Sequence, residues 1–268
     1  MSERSSSSFG LGNWTRRLSY AFLLGGQVCV HFLQGRINWR NSIEQMAAVG
    51  PQSLLITIVA AFFVGAVFTI QVAREFLNFG AEAVVGGVLA LSLLRELAPV
   101  LAAVLLAGRI GSAFAAEIGT MRVTEQIDAL YMLKTDPVDY LVLPRVLACC
   151  LMAPILTLIF FLVGTLGGLL VAIQVYGISS HIFLKSVQDF LGSWDIISAV
   201  IKAIFFGAIV AVIGSSWGLS TSGGAKGVGT STTAAVVTSL LAVFVCNFFL
   251  SGFMFQGLGS SLTQGVGG

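Results

Sequence analysis

The run Pro51–Ala73, PQSLLITIVAAFFVGAVFTIQVA, holds 23 residues without a charge and is closed by Arg74-Glu75. Crossing the hydrocarbon of a bilayer as a helix takes about 20 predominantly apolar residues. The run therefore predicts a transmembrane helix that opens on Pro51, whose missing N–H is harmless in a first turn. Four more stretches of similar character follow, over roughly 84–108, 146–173, 197–217 and 234–256. The whole chain agrees: of 268 residues, 56% are hydrophobic and only 10% charged, with a mean hydropathy of +0.95. Soluble domains carry about 25% charged residues, so lipid is the solvent for most of this surface.

The segment before Pro51 has a different composition. Over 9–50, Trp14, Leu18, Phe22, Val30 and Leu33 alternate with Arg16, Arg17, Arg36 and Arg40. That pattern predicts an amphipathic helix lying in the membrane interface with its arginines toward lipid phosphates. The polar start, MSERSSSS, leads into no apolar core within the first 20 residues, so no cleavable signal is expected. The expected organisation is an all-α membrane protein: residues 1–50 as tail and interfacial helix, and 51–268 as a five-span domain.

Five spans put the two ends of the chain on opposite sides, and the Lys/Arg bias sets the orientation. With the N-terminus in the cytoplasm, that side holds Arg4, Arg16, Arg17, Arg36, Arg40, Arg109, Arg122, Lys134, Arg145 and Lys226. The far side holds Arg74, Lys185 and Lys202, and Arg95 stays within the membrane. This orientation makes 117–144, the one long polar insertion, cytoplasmic. Within it, Thr124 reads as an N-cap, Glu125 and Asp128 suit the positive end of a helix dipole, and Lys134 suits the negative end. Ile127, Leu130 and Tyr131 form an apolar face, and Asp136-Pro137 is expected to stop the helix. Such a short, capped helix reads either as a solvated interfacial element or as a coupling helix that docks in a cytoplasmic partner. The Gly/Ser/Thr-rich run 220–233 is expected to be a flexible loop on the same side.

Arg95-Glu96 falls inside the second span, where an ionisable group must face protein or water. Neighbouring positions on a helix point about 100° apart, so each side chain is expected to find its own partner or a polar cavity. Pro99 is expected to kink the helix just beyond. Ala103, Ala107, Gly111, Ala115 and Gly119 recur every fourth residue, and Gly164 and Gly168 form a GxxxG, both patterns that let helices approach closely.

Other chemistry finds little support. No GxxxxGK[ST] motif occurs, and the glycine-rich 223–229 segment lacks the Ser or Thr after Lys226 that phosphate binding would need. Cys29, Cys149, Cys150 and Cys246 show no CxxC spacing. His31 and His181 look isolated and form no metal pair. A hydrolase built on His181 and Asp189 has no converging nucleophile.

The segment 117–130, EIGTMRVTEQIDAL, closely resembles the signature of MlaE/YrbE-type permeases. Supporting stretches are 94–101 (LRELAPVL), 108–112 (GRIGS), 140–147 (YLVLPRVL) and 223–237 (GGAKGVGTSTTAAVV), so the likeness runs from about 45 to 255. The resemblance implies a permease domain over 51–268: the membrane subunit of an ABC transporter moving lipids, phospholipids in the first instance, between membranes. It implies a homodimer, a separate cytoplasmic ATPase and an MCE-domain lipid-binding protein on the far side. The chain itself would be no enzyme and bind no cofactor, ATP and Mg being used by the ATPase; nucleic acid plays no part. Location would be a bacterial, including cyanobacterial, inner membrane or the chloroplast inner envelope, with the N-terminus cytoplasmic or stromal. Residue by residue, Arg95 and Glu96 would sit at the lipid pocket, with Phe68, Val72 and Phe76 as an apolar wall. Glu117, Arg122, Thr124, Glu125, Asp128 and Lys134 would belong to the ATPase-coupling element. The rival class is an ion-coupled secondary transporter, which predicts charges spread over several spans and an inverted repeat; mid-membrane charge here looks confined to Arg95 and Glu96.

Overall fold

The computed structural model describes residues 11–35 and 39–256. Among them there is no strand, and the helices are α1 (Leu11–Leu33), α2 (Trp39–Asn78), α3 (Glu82–Val123), α4 (Gln126–Met132), α5 (Val138–Gln174), α6 (Ser180–Phe190), α7 (Ser193–Leu219) and α8 (Gly224–Gln256). Five of them, α2, α3, α5, α7 and α8, are long and apolar enough to cross a membrane. Helix α1 lays Ala21, Leu24 and Val28 against the bundle and leaves Phe22 and Leu33 exposed. Helices α3 and α7 form the interior. Helix α8 is the outermost, with only 22% of its most apolar stretch buried, so one face of it has no neighbour in the monomer.

Three expected boundaries move. Pro51 does not begin a helix but lies inside α2, whose 40 residues run across the 50/51 position without a break. At 1.5 Å per residue α2 is about 60 Å long, twice the hydrocarbon thickness, so its first turns stand outside it. The run 224–233 is helix rather than loop. Its threonines turn their hydroxyls back on the backbone: Thr230 Oγ1 donates to Gly227 O at 2.9 Å and Thr232 Oγ1 to Val228 O at 2.8 Å. Near lipid every backbone group must be satisfied within the segment, and that requirement overrides the low helix propensity of Gly and Thr. Asp136-Pro137 starts a helix instead of stopping one. Asp136 Oδ1 accepts the Val138 N–H at 2.8 Å, capping the first turn of α5.

Glycines place the helices. A Cβ on Gly65 would lie 1.9 Å from Gly164 O, so α2 and α5 cross with their backbones touching. The GxxxG expected on the third span therefore finds its partner on the first. The Ala103–Gly119 row packs on α7, where a Cβ on Gly214 would lie 2.8 Å from Gly111 O. Close backbone approach of this kind draws on van der Waals packing, since lipid offers no hydrophobic drive between helices.

Candidate functional site

The α3 helix widens to a π-turn over Leu93–Leu97, the turn that carries Arg95 and Glu96. Pro99 explains why a special arrangement is needed there. Proline has no N–H, so the carbonyls of the turn before it have one donor fewer within the helix. A donor arrives from α7: Lys202 Nζ donates to Arg95 O at 2.7 Å. The same ammonium donates to Glu96 Oε1 at 2.9 Å and to Ser251 Oγ at 2.8 Å, which uses all three of its protons. Ser251 Oγ in turn donates to Glu96 Oε1, and Asn247 Nδ2 to Glu96 Oε2, each at 2.8 Å. Glu96 thus ties α3 to α7 and α8 together.

Arg95 turns the other way. Its Nε donates to Asp195 Oδ1 at 2.6 Å, while Asp195 Oδ2 accepts the Gly192 N–H at 2.9 Å. Asp195 lies in the first turn of α7, almost fully buried. The guanidinium stacks 4.7 Å from the centroid of Phe255. Arg95, Glu96 and Asn247 line a cavity of about 990 Å³, walled on its apolar side by Phe244, Phe248 and Phe253. A space with an aromatic wall and a few polar groups at one end suits an amphiphile.

The structure does not bring Phe68, Val72 and Phe76 to this cavity. They pack in a separate cluster around Leu89, Leu93 and Phe160, and the aromatic wall comes from α8 instead. The mid-membrane charge is also wider than Arg95 and Glu96, because Lys202, assigned to the far-side surface by sequence, is fully buried. Its position within 197–217 was the available signal. Asn247 and Ser251, polar residues inside the 234–256 run, gave a weaker signal of the same kind, and Asp195, in the first turn of α7, gave none.

At the other end of α3 stands a helical hairpin. Glu117 Oε2 accepts from Arg145 Nη2 at 2.8 Å, joining α3 to α5 at its base. Arg122 Nη1 donates to Asp128 Oδ1 at 2.6 Å. Thr124 is not the N-cap of α4: its hydroxyl donates back to Thr120 O at 2.8 Å, ending α3. The N-cap position belongs to Glu125, in left-handed conformation at φ 61°. Lys134, at φ 56°, closes α4 with paired bonds, Thr135 N to Leu130 O and Lys134 N to Tyr131 O, both at 3.0 Å. That is a Schellman closure with lysine where glycine is usual. The expected apolar face divides: Ile127 is buried and Leu130 packs beside it, while Tyr131 turns outward with Met132 and Leu133. Met132 is 86% exposed at the tip, an unusual position for a large apolar side chain.

His31 is not isolated. Its Nδ1 meets Asp139 Oδ1, tying α1 to the first turn of α5, with Asp136 alongside. His181 stays exposed.

The fold and the site define an all-helical integral membrane protein with five spans and a charged, aromatic-walled cavity between them. The chain belongs to the family described as Permease MlaE, whose model matches residues 42–253. Among its relatives is a "Probable ABC transporter permease protein" of Synechocystis sp., 62% identical over 261 residues, covering 97% of this chain and 99% of that one. The chloroplastic protein trigalactosyldiacylglycerol 1 of Arabidopsis thaliana is 52% identical over 244 residues, 91% of this chain and 70% of its own. A further "Probable ABC transporter permease protein", from Pyropia yezoensis, is 47% identical over 254 residues, 95% of this chain and 97% of its own. The chain is a membrane permease subunit.

Proposed function

We propose that this permease moves phospholipids between membranes as part of an ABC system powered by a separate ATPase. The cavity carries the reading. Five-span architecture alone fits many transporters, but here a volume of about 990 Å³ pairs an Arg95 guanidinium with a wall of phenylalanines. The guanidinium suits a phosphate and the rings suit acyl chains. The name of the Arabidopsis relative, which contains a lipid, points the same way.

The hairpin Glu117–Lys134 is the coupling element in this reading. Arg122 and Asp128 hold it together, Glu117 fixes its base through Arg145, Thr124 ends the preceding helix, and Glu125 and Lys134 shape its two ends. The exposed tip, Tyr131, Met132 and Leu133, supplies the apolar contact to a groove of the ATPase. ATP and Mg belong to that subunit. Two copies of the chain work together, joined along the free face of α8. Exposed positions on that face are small at one end (Ala225, Gly229, Thr233) and aromatic at the other (Phe244, Phe248). Two copies therefore approach closely near Gly229 and splay apart around the cavity, which opens toward an MCE-domain protein on the far side. The Lys/Arg tally puts the N-terminus and the hairpin in the cytoplasm or stroma, and removing Lys202 from the far side strengthens that bias. The membrane is a bacterial inner membrane or a chloroplast inner envelope.

The test is co-expression with candidate ATPase and MCE subunits, followed by reconstitution. A complex should copurify, and phospholipid should move between vesicles only with ATP and the ATPase present. Lipid transport by the purified chain alone, or driven by an ion gradient, would return the reading to a secondary transporter.

A further inference from the structure

Arg95 meets the lipid phosphate in the reading above, and behind it stands Asp195, which does not line the cavity. The Asp195 side chain is 4% exposed, against 38% for Arg95. Its Oδ1 accepts from Arg95 Nε at 2.6 Å. Its Oδ2 accepts the Gly192 N–H at 2.9 Å, in the first turn of α7, where the helix dipole favours a negative charge. The carboxylate is thus tied to the backbone on one side and holds the guanidinium by one edge on the other. Phe255 holds the guanidinium by its face. The Nη atoms make no hydrogen bond among the described residues, and a guanidinium offers paired donors that match a phosphate.

The charges cancel. Arg95 pairs with Asp195 and Lys202 with Glu96, two cations against two carboxylates. Without its counter-ion, Arg95 would attract a phosphate with its full charge, and away from water that attraction is strong. Cargo must also leave, and the requirement is the one that governs ion channels: binding favourable enough to enter and weak enough to let go. A bound phosphate cannot push Asp195 aside, because the carboxylate is buried and held by the Gly192 N–H. It can only share the guanidinium with it.

We infer that Asp195 is a positioning residue that sets how firmly the cavity holds a phospholipid. It fixes the Arg95 guanidinium by Nε, leaves the Nη atoms for the phosphate, and offsets the charge so that the phosphate is oriented but not trapped. This deepens the lipid-permease reading above and rests on it. A carboxylate that only held α3 and α7 together would act in the opposite sense, since its loss would loosen the cavity and weaken binding.

The experiment compares a lipid that has a phosphate with one that has none. Full-length protein in detergent is equilibrated with chain-matched phosphatidylglycerol or diacylglycerol, and bound lipid is measured by mass spectrometry. Asp195→Asn keeps the size of the side chain and one acceptor while removing the charge. It should retain phosphatidylglycerol about tenfold more than the wild type does, the size expected of one uncompensated charge near the phosphate at an effective dielectric of about 20. Diacylglycerol retention should not change. Adding Arg95→Met should abolish the gain, because Asp195 acts through Arg95. If Asp195→Asn does not fold, the wild-type pair decides: phosphatidylglycerol retained within about tenfold of diacylglycerol fits an offset arginine, and a larger preference overturns the inference. Phosphatidylglycerol retention that is unchanged or lowered in Asp195→Asn, or raised together with that of diacylglycerol, overturns the inference while leaving a lipid permease. Retention of neither lipid by the wild type overturns the lipid reading itself.

Discussion

Lys202 holds the centre of this protein because three elements fail to satisfy themselves without it. The Arg95 carbonyl in the widened turn takes a donor from outside its own helix, Glu96 is a carboxylate at membrane depth, and Ser251 needs a donor to orient it. Lys202 is fully buried, but Glu96 is 42% exposed and keeps its bonds from Asn247 and Ser251, so removing the lysine costs less than the about 3–5 kcal/mol of a wholly buried pair. Lys202→Met should therefore lower thermal stability in detergent by about 1–3 kcal/mol. Glu96→Gln added to it should recover part of the loss, because the amide needs no counter-charge; a fully additive double variant would show the pair to be uncoupled. How little of this was legible follows from the residues. Arg95 and Glu96 announced themselves by sitting in an apolar run. Their partners lie 100 to 155 positions away, and no local pattern links them.

The α4 hairpin shows how an element can be recognised and still be wrongly detailed. Its amphipathic pattern and charge placement marked it as a helix, but Thr124 caps the end of α3 and Glu125 takes the left-handed turn. Side chains disfavour that conformation by roughly 1 kcal/mol. Lys134→Gly should therefore stabilise the protein by about 0.5–1 kcal/mol, read as a rise in unfolding temperature. Met132→Asp with Leu133→Asp should leave the chain inserted and folded while reducing ATPase association at least tenfold in pull-downs. Intact association would move the docking surface elsewhere on the hairpin. Among the spans, Gly65→Val should prevent stable assembly, because its Cβ alone would meet Gly164 O at 1.9 Å. Expression in the membrane followed by detergent gel filtration reads that outcome.

For the molecule as a whole, the homodimer proposed above joins two copies along the free face of α8. Cysteines placed at Thr233 should cross-link two chains readily in native membranes, and cysteines at Phe253 poorly, in a background lacking the four native cysteines. Equal yields at both positions would rule out the splayed arrangement. From its sequence alone this protein was bound to be a five-span helical bundle with a polar hairpin, since a bilayer demands spans of fixed length with every backbone group paired internally. Those demands act on contiguous residues and leave a contiguous trace. Which charge meets which, that the cavity wall belongs to α8 rather than α2, and that Pro51 lies inside a helix were decided only by the tertiary structure. Such contacts depend on how separate helices cross, and the crossing is set by side-chain fit between segments that the linear order keeps far apart.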